Sequence, residues 1–236
     1  MGTSADSKAD AAPGFSRPVP DLWKPVENRP VPLAVLISGR GSNLRAIAEA
    51  IAAGAIHARI AVVVSNRADA AGLEFARGLG VPAVVMPHRD YRSRDDYDQA
   101  LVDELRRHAV QIVCLAGFMR LLGPRFCGAF PNAVLNIHPS LLPAFPGVDA
   151  QRQALEHGVK VTGATVHFVT PELDAGPIIM QAAVPVDDRD TPEALASRIL
   201  IEEHRLYPLA IEFVIGGDWH IEGRRVVRGR FPEHVR

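Results

Sequence analysis

Two polar side chains of the kind that can carry proton-transfer chemistry stand two residues apart, the amide Asn136 and the imidazole His138. They end an apolar run, and two-residue spacing in a strand points both side chains to the same face of a sheet. Pro139 follows at once; because proline lacks a backbone N–H and favours extended geometry in the residue before it, His138 is predicted to close its strand. Open α/β sheets bind ligands at the carboxyl ends of their strands. The pair is therefore either part of a functional site or a strand end whose polar groups satisfy loop carbonyls.

A second candidate is the loop at residues 38–44, between the first predicted strand and the first predicted helix. Its glycines, with Ser42 and Asn43, would let backbone amides at a helix start approach a phosphate. A dinucleotide fingerprint would need glycine where Leu44 stands and an acid near residues 65–66, and the loop also lacks the lysine of a nucleoside triphosphate cradle. The loop thus suits a smaller phosphate, such as a sugar monophosphate. A tight turn with a capping side chain explains it as well.

The remaining polar candidates lie further along the chain and have structural explanations of their own. Asp174 stands in a turn ahead of Gly176, where aspartate is ordinary turn chemistry. His167 fits a satisfied, partly buried histidine of a strand, and Arg94 and Arg120 fit either surface charges or anion contacts. Met119, Leu121 and Leu122 follow the fourth predicted strand and either wall an apolar pocket or pack against a helix.

The first half of the chain alternates short apolar runs with helical patterns, which predicts parallel crossover units with helices on both faces of a sheet. The predicted strands are 33–37, 60–64, 83–86, 112–116 and 134–137, and the predicted helices are 44–53, 70–79 and 94–108. The fold class is therefore α/β, doubly wound and Rossmann-like, with a mostly parallel sheet.

The second half has a different pattern. Residues 162–169 and 177–186 flank a turn at 171–176, which predicts an antiparallel, hairpin-like extension of the sheet. A helix is predicted from the capping residue Thr191 to Ile215, before two glycines. We divide the chain into a disordered leader at 1–31, a main domain at 32–217 and a tail at 218–236 that carries a small hairpin turning at Glu222 and Gly223.

Composition narrows the class of partner. The 236 residues carry 26 basic and 27 acidic side chains, for a net charge of -1, so no overall field recruits nucleic acid or an anionic membrane. No apolar run approaches the roughly 20 residues of a membrane span, and residues 1–20 lack the apolar core of a signal peptide. Two cysteines make neither a disulfide framework nor a metal pattern. These features predict a cytoplasmic protein that binds small molecules.

Four motifs in this order resemble the formyltransferases that use 10-formyltetrahydrofolate. The motifs are residues 39–43, 115–120, 136–143 and 173–177. The resemblance spans roughly residues 33–216, and 41–43, 202–204 and 207–208 point to the branch that formylates the amine of 5-phosphoribosylglycinamide in purine (IMP) biosynthesis. It implies 10-formyltetrahydrofolate as co-substrate, no metal, and a monomer or homodimer.

The resemblance also implies roles for individual residues. Asn136 would hydrogen-bond the formyl oxygen, His138 would stabilise the developing oxyanion or supply a proton, and Asp174 would orient that imidazole. The ribotide phosphate would be held by Gly41, Ser42 and Asn43, with Glu203 contacting the same substrate. The folate would be bordered by Arg94, Met119, Arg120, Leu121, Leu122, Asn136, Thr170, Pro171, Glu172, Leu173 and Asp174.

Other readings stay open from the sequence. A 10-formyltetrahydrofolate hydrolase would use the same Asn136, His138 and Asp174 with water as acceptor, and another small amine is a second alternative. A nicotinamide-dependent oxidoreductase would fit the doubly wound pattern but lacks the fingerprint. In a non-catalytic binding module the cluster would be accidental. Residues 149–151 lack the histidines of some relatives, which leaves the substrate contacts of that loop open.

Overall fold

The computed structural model describes residues 29–229, which form a nine-stranded mixed sheet flanked by helices. Most of the predicted leader, at residues 1–31, lies outside the described residues, and its disorder stays a prediction. The strands are β1 (Val31–Ile37), β2 (Ala58–Ser65), β3 (Ala83–Val85), β4 (Ile112–Leu115), β5 (Val134–His138), β6 (Val161–Phe168), β7 (Ile178–Pro185), β8 (Trp219–Glu222) and β9 (Arg225–Arg228). The helices are α1 (Ser42–Ala52), α2 (Gly72–Gly78), α3 (Arg94–Arg107), α4 (Pro124–Ala129), α5 (Ala150–Glu156) and α6 (Pro192–Gly216).

The strand order β3-β2-β1-β4-β5-β6-β7-β9-β8 confirms the doubly wound prediction. β1 to β5 are parallel, with β1 between β2 and β4. Successive side chains of β1 point to opposite faces of the sheet and pack into two different hydrophobic clusters. Leu33 and Val35 pack in the cluster that contains α1, α2 and α6, whereas Ala34 and Leu36 pack in the cluster that contains α3 and α4. The sheet is therefore covered on both faces, and its loops meet at its edges.

The predicted antiparallel extension is also confirmed. β6 pairs antiparallel with both β5 and β7, and its register sets His167 opposite Asn136. Gly163 allows this packing, because a Cβ there would lie 1.9 Å from the carbonyl oxygen of Ala182. The predicted tail hairpin is β8 and β9, and β9 joins the sheet beside β7.

Helix α6 connects the two halves of the sheet. The Thr191 hydroxyl accepts from the amide of Ala194 and caps its start, and Gly217 ends it in left-handed geometry, as predicted. The buried Tyr207 hydroxyl lies 3.0 Å from two carbonyl oxygens, that of Leu115 at the end of β4 and that of Leu135 within β5. Among residues 29–229, no helix is both long and apolar enough to cross a bilayer.

Two short helices, α4 and α5, were not predicted from the sequence. Each is a single turn or two, too short for a clear hydrophobic period. Pro124 is the first residue of α4, where its missing N–H leaves nothing unsatisfied. Asp149 precedes α5 with a left-handed φ of 55°. Both helices follow loops at the carboxyl edge of the sheet, so they shape the surroundings of the site.

Candidate active site

The imidazole of His138 lies beside the carboxylate of Asp174. His138 is the last residue of β5, as Pro139 predicts. Its Nδ1 lies 3.4 Å from Oδ2 of Asp174, and its Nε2 lies 2.8 Å from the carbonyl oxygen of Phe145. Both ring nitrogens thus face acceptors, an arrangement that suits an imidazolium, which donates from both nitrogens. The ring can hold a proton here and pass it on.

Asp174 is fixed by the backbone of its own turn and by a neighbouring loop. Its φ is 48°, a left-handed conformation that Asp tolerates better than most residues. The amide of Gly147 donates to Oδ2 at 2.8 Å, the same oxygen that faces His138. Gly176 permits the tight turn, because a Cβ there would lie 1.8 Å from the carbonyl oxygen of Phe168. The carboxylate is therefore preorganised against the imidazole.

A second histidine fixes the orientation of Asn136. His167 is buried, and its Nδ1 donates to the carbonyl oxygen of Phe168 at 2.9 Å, which leaves Nε2 as the acceptor in a neutral ring. Burial lowers the pKa of His167, which keeps the ring neutral. Nδ2 of Asn136 lies 3.2 Å from that Nε2 and donates to it. One amide N–H of Asn136 is thus engaged, and the second remains to donate elsewhere.

The His167 ring also approaches the aspartate. Its Nε2 lies 3.7 Å from Oδ1 of Asp174, so the two oxygens of Asp174 face the two imidazoles. Asn136, His138, His167 and Asp174 form one cluster, hereafter the central cluster. The sequence alone favoured a structural explanation for His167, and the structure shows it satisfied and buried, but in contact with the predicted site.

The loop after β5 is held by a threonine of β6. The Thr165 hydroxyl donates to the carbonyl oxygen of Ser140 at 2.6 Å and accepts from the amide of Leu142 at 3.0 Å. The Ser140 hydroxyl donates to the carbonyl oxygen of Ala144, and the Leu142–Pro143 peptide is cis. These contacts bring the carbonyl of Phe145 over His138.

The loop after β1 starts α1 without a side-chain cap. Gly41 is the N-cap, with a left-handed φ of 75°. The amide of Arg45 donates the first helical hydrogen bond to the carbonyl oxygen of Gly41. Ser42 and Asn43 are the first two helical residues, so the alternative that one of them caps the helix is wrong. A Cβ on Gly41 would lie 2.9 Å from Cα of Gly72, so glycine is needed for both φ and packing.

Asn43 and Glu203, 160 residues apart, are brought together beside this helix start. Nδ2 of Asn43 donates to Oε2 of Glu203 at 2.8 Å, and both residues are buried. Burial raises the pKa of Glu203. Oδ1 of Asn43 is buried without a partner among the described residues. We call residues 39–43 with Glu203 the helix-start surface; it offers free amides and a desolvated polar pair.

The segments predicted to border folate form a different kind of surface. We call residues 117–123 and 170–174 the open surface. The side chains of Met119, Leu121 and Leu173 are 72%, 49% and 50% exposed, and Pro171 and Glu172 are exposed beside them. Leu122 differs, since its side chain is buried in the core with α3. The expected contact of Leu122 with a ligand is therefore not through its side chain.

Arg94 and Arg120 both link α3 to the segment at residues 117–123. Nε of Arg94 donates to the carbonyl oxygen of Leu121 at 3.3 Å, which ties the start of α3 to the open surface. The Arg120 guanidinium lies 5.2 Å from the ring centre of Tyr97, within cation–π range. Both arginines therefore help to hold residues 117–123 in place, and their charges lie beside that segment.

Thr170 is half-buried, and its hydroxyl donates to the carbonyl of Glu172.

A separate groove of 470 Å³ lies between α1 and α6, lined by Ser42, Arg45 and Glu49 on one helix and His204 and Leu209 on the other. It shares Ser42 with the helix-start surface but includes none of the central cluster. Because the polar groups converge outside this groove, the candidate reaction site is the central cluster at the end of β5.

Two residues of the site escaped the sequence reasoning because they act through the main chain. Phe145 supplies a carbonyl to His138, and Gly147 supplies an amide to Asp174. Backbone groups leave no side-chain signal in a sequence, although the Pro146-Gly147 pair does mark a turn. Ser38, the first residue of the 38–44 loop, was assigned no role of its own from the sequence.

Fold and central cluster together define the class: a doubly wound α/β enzyme whose Asn, His and Asp side chains meet at the carboxyl edge of its sheet. Comparison with known proteins then gives the family. Residues 31–211 match the family model described as formyl transferase, and the chain belongs to the formyl transferase family.

Three relatives show how far the similarity reaches. Glycinamide ribonucleotide transformylase 1 from Symbiobacterium toebii is 57% identical, with a TM-score of 0.84 over 86% of this chain and 96% of that one. Phosphoribosylglycinamide formyltransferase of Escherichia coli K12 is 45% identical over 192 residues, or 81% of this chain and 88% of the relative. The trifunctional purine biosynthetic protein adenosine-3 of Gallus gallus is 46% identical over 192 residues. This chain spans only 19% of the length of that trifunctional relative.

Proposed function

We propose that the protein transfers a formyl group from 10-formyltetrahydrofolate to the amine of 5-phosphoribosylglycinamide, a step of purine (IMP) biosynthesis. The observation that carries the proposal is the convergence of Asn136, His138 and Asp174 at the end of β5. Membership of the formyl transferase family and the names of the full-length bacterial relatives support it.

The chemistry asks for three things that the central cluster can supply. The amine nitrogen attacks the formyl carbon, the carbonyl oxygen becomes an oxyanion, and the carbon–nitrogen bond to the folate then breaks. The second N–H of Asn136 and the proton of His138 stabilise the oxyanion. Asp174 holds the imidazolium and compensates its charge. Overall one proton passes from the incoming amine to the leaving nitrogen, and no covalent enzyme intermediate is needed.

One contact of His138 competes with this role. In the structure the carbonyl oxygen of Phe145 lies 2.8 Å from Nε2 of His138. An oxyanion would share that N–H with the carbonyl in a three-centre hydrogen bond or displace the carbonyl from it. The amide of Gly147, in the same loop, donates to Asp174 and holds that carboxylate beside the imidazole.

We assign the two substrates to the two surfaces. The helix-start surface suits the phosphorylated ribose, because free amides at a helix start bind phosphate and the Asn43–Glu203 pair can accept from hydroxyls. The open surface suits the folate, because exposed Met119, Leu121 and Leu173 offer apolar area to a flat ring system. Asn136 of β5 would donate to the oxygen of the formyl group that passes between the two ligands.

The compartment and assembly are further parts of the proposal. Cys114 and Cys127 are both free thiols, which suits a reducing compartment, and we propose the cytoplasm. Nothing in the chain's net charge of -1 favours nucleic acid as a partner. Whether the protein is a monomer or a homodimer stays a prediction for measurement of its mass in solution.

A formyl-transfer assay tests the proposal directly. Formation of tetrahydrofolate is followed with 10-formyltetrahydrofolate alone, with 5-phosphoribosylglycinamide added, and with the dephosphorylated ribosylglycinamide added. We expect turnover that depends on the phosphorylated amine and produces its N-formyl derivative. Release of formate at the same rate without the amine would show a hydrolase instead, and absence of turnover with all three mixtures would overturn the proposal.

A further inference from the structure

The hydroxyl of Ser38 links three loops at the carboxyl edge of the sheet. Ser38 follows β1, is only 7% exposed, and precedes the glycine loop. Its Oγ lies 2.6 Å from Oδ1 of Asn66, which follows β2, and 2.8 Å from the amide nitrogen of Met119, which follows β4. Since β2, β1 and β4 are neighbours in the sheet, one hydroxyl ties together the ends of three adjacent strands.

The direction of each hydrogen bond is fixed by chemistry. The amide of Met119 can only donate, so the Ser38 oxygen accepts from it. The hydroxyl proton then points to Oδ1 of Asn66, which can only accept. Donation thus runs from the backbone amide of Met119, in the open surface, through the Ser38 hydroxyl to Asn66. Asn66 is itself buried. Removal of the hydroxyl would leave both the Met119 amide and the Asn66 oxygen without this partner.

The open surface has few other anchors near Met119. Arg94 holds the carbonyl of Leu121, and Oδ2 of the buried Asp98 accepts from the amide of Gly123 at 2.7 Å. These contacts secure the far end of the segment. At its near end, Ser38 provides the side-chain contact, together with a backbone bond from its amide to the carbonyl of Gly117.

The helix-start surface, by contrast, does not use the Ser38 hydroxyl. Its loop is held by a bond from the amide of Gly72 to the carbonyl of Gly39 at 3.1 Å and by the packing of Gly41 on Gly72. Asn43 is held by Glu203. Ser38 therefore stands next to one surface in sequence but supports the other in space.

We propose that Ser38 is a positioning residue for the folate co-substrate, acting through the backbone of Met119. The inference rests on the proposed function for the identity of that ligand. The hydroxyl fixes the position of the Met119 backbone relative to the ends of β1 and β2, and with it the apolar side chains that the segment exposes. Its loss loosens the folate end of the site while the ribotide end keeps its own anchors.

The test compares Ser38→Ala with a matched control, Ser65→Ala, in the full chain. Ser65 is also buried and closes the adjacent strand β2, but its hydroxyl donates to the carbonyl of Arg67 within its own turn. Ser38→Ala removes the acceptor that fixes the Met119 amide and leaves the buried Oδ1 of Asn66 without its donor, so it should raise KM for 10-formyltetrahydrofolate about five- to thirty-fold. KM for the ribotide should change by less than about twofold. Ser38→Thr, which keeps the hydroxyl, should restore most of the folate affinity, and Ser65→Ala should change neither KM.

Titration of each variant with a folate analogue, followed by calorimetry, makes the result independent of turnover. Weakened analogue binding by Ser38→Ala, and a smaller effect of Asn66→Ala in the same direction, support the proposal. Unchanged analogue binding by Ser38→Ala, or a loss confined to the ribotide, overturns it while leaving the proposed function intact. If wild-type protein binds no folate analogue, the proposed function fails and this inference falls with it. If Ser38→Ala does not fold, Asn66→Ala and Ser38→Thr decide the question by the same titration.

Discussion

The helix-start surface and the open surface are built in opposite ways. At the helix-start surface, Asn43 and Glu203 are 7% and 8% exposed and bond each other. At the open surface, Met119 and Leu173 leave half or more of their side chains in solvent. A buried polar pair offers a few contacts. Loss of any one of them costs a large binding free energy, because it leaves a desolvated group unsatisfied. An exposed apolar surface spreads its contribution over area, so that each side chain matters less.

This difference suits the two proposed ligands. A small sugar phosphate has to be recognised by few, well-placed polar groups, and rigid ones discriminate best. A larger aromatic co-substrate can be bound by area and by main-chain contacts. The predictions below test this contrast, from the largest expected effect to the smallest.

The largest effect should come from the central cluster, where the formyl group is transferred between the two ligands. His138→Ala should lower kcat about a hundred- to ten-thousand-fold, because proton transfer and oxyanion stabilisation act in the transition state. Both KM values should change little, since His138 belongs to neither surface. Steady-state kinetics with each substrate varied in turn measures this. Near-normal kcat would remove His138 from the mechanism.

Asp174→Asn should lower kcat in the same way as His138→Ala, because a neutral amide does not compensate the charge of an imidazolium. The double variant should lose less than the sum of the two single losses, because the residues act as a unit. Strictly additive losses in the double-mutant cycle would contradict direct cooperation between the two side chains.

A polar change at the helix-start surface should affect one ligand only. Asn43→Leu removes the donor to Oε2 of Glu203 and leaves a buried carboxylate unpaired. Ribotide affinity should fall about ten- to a hundred-fold, whereas binding of a folate analogue should stay nearly unchanged. Gln99→Leu removes a partly buried amide on α3 that bonds Asp103 and Arg125, far from this surface in the sheet, and is the control for the same chemical change. Loss of folate binding with ribotide binding intact would reverse the assignment of ligands.

Apolar truncation at the open surface should give a smaller effect on the other ligand. Met119→Ala and Leu173→Ala should each raise KM for the folate about two- to ten-fold, because each removes part of the apolar area that the ligand covers. Leu79→Ala, a similarly exposed leucine after α2, is the matched control and should change nothing. A hundred-fold loss from either truncation would break the contrast between the two surfaces.

The burial of Glu203 also predicts a dependence of stability on pH. Burial raises its pKa in the folded state above the value of the unfolded chain. Its contribution is therefore fully favourable below the unfolded pKa and is lost as pH rises through the folded pKa, where the ionised carboxylate must stay desolvated. Glu203→Gln should raise Tm above wild type at neutral pH, with a smaller difference near pH 4, while ribotide affinity falls.

Thermal unfolding from pH 4 to 8 measures this difference. Glu202→Gln, which alters the neighbouring and more exposed carboxylate paired with Arg205, should show no such trend. A pH-independent difference in Tm between Glu203→Gln and wild type would contradict a buried, raised pKa as the cause.

The smallest effect should come from the leader. Removal of residues 1–30 should leave Tm, kcat and both KM values nearly unchanged, because that segment is polar and broken by prolines and offers little apolar area to bury. A large loss of Tm or activity on truncation would contradict the predicted disorder.

Much of the fold was readable from local patterns. Alternating apolar runs and helical periods predicted β1 to β7, α1 to α3 and α6, and the proline after His138 predicted the end of β5. Thr191 and Gly217 marked the ends of α6 correctly. The signals that succeeded are all local: they act within a turn or a strand, so a short stretch of sequence contains them.

Two local features were decided by contacts with elements distant in sequence. Ser42 and Asn43 carry capping side chains, but Gly41, in left-handed geometry against Gly72, starts α1 instead. Leu122 follows a strand like its exposed neighbour Leu121, but α3 covers its side chain, so its predicted place beside the folate rests on its main chain.

By itself, the sequence determined the elements, the carboxyl edge where polar residues collect, and the family motifs, because these depend on residue type and near neighbours. Only the tertiary structure decided which of those residues touch. The antiparallel pairing of β5 with β6 set His167 against Asn136. The return of the chain through the turn at Asp174 brought its carboxylate to His138. Closure of such contacts across long loops depends on the packing of the whole sheet, which no local pattern encodes.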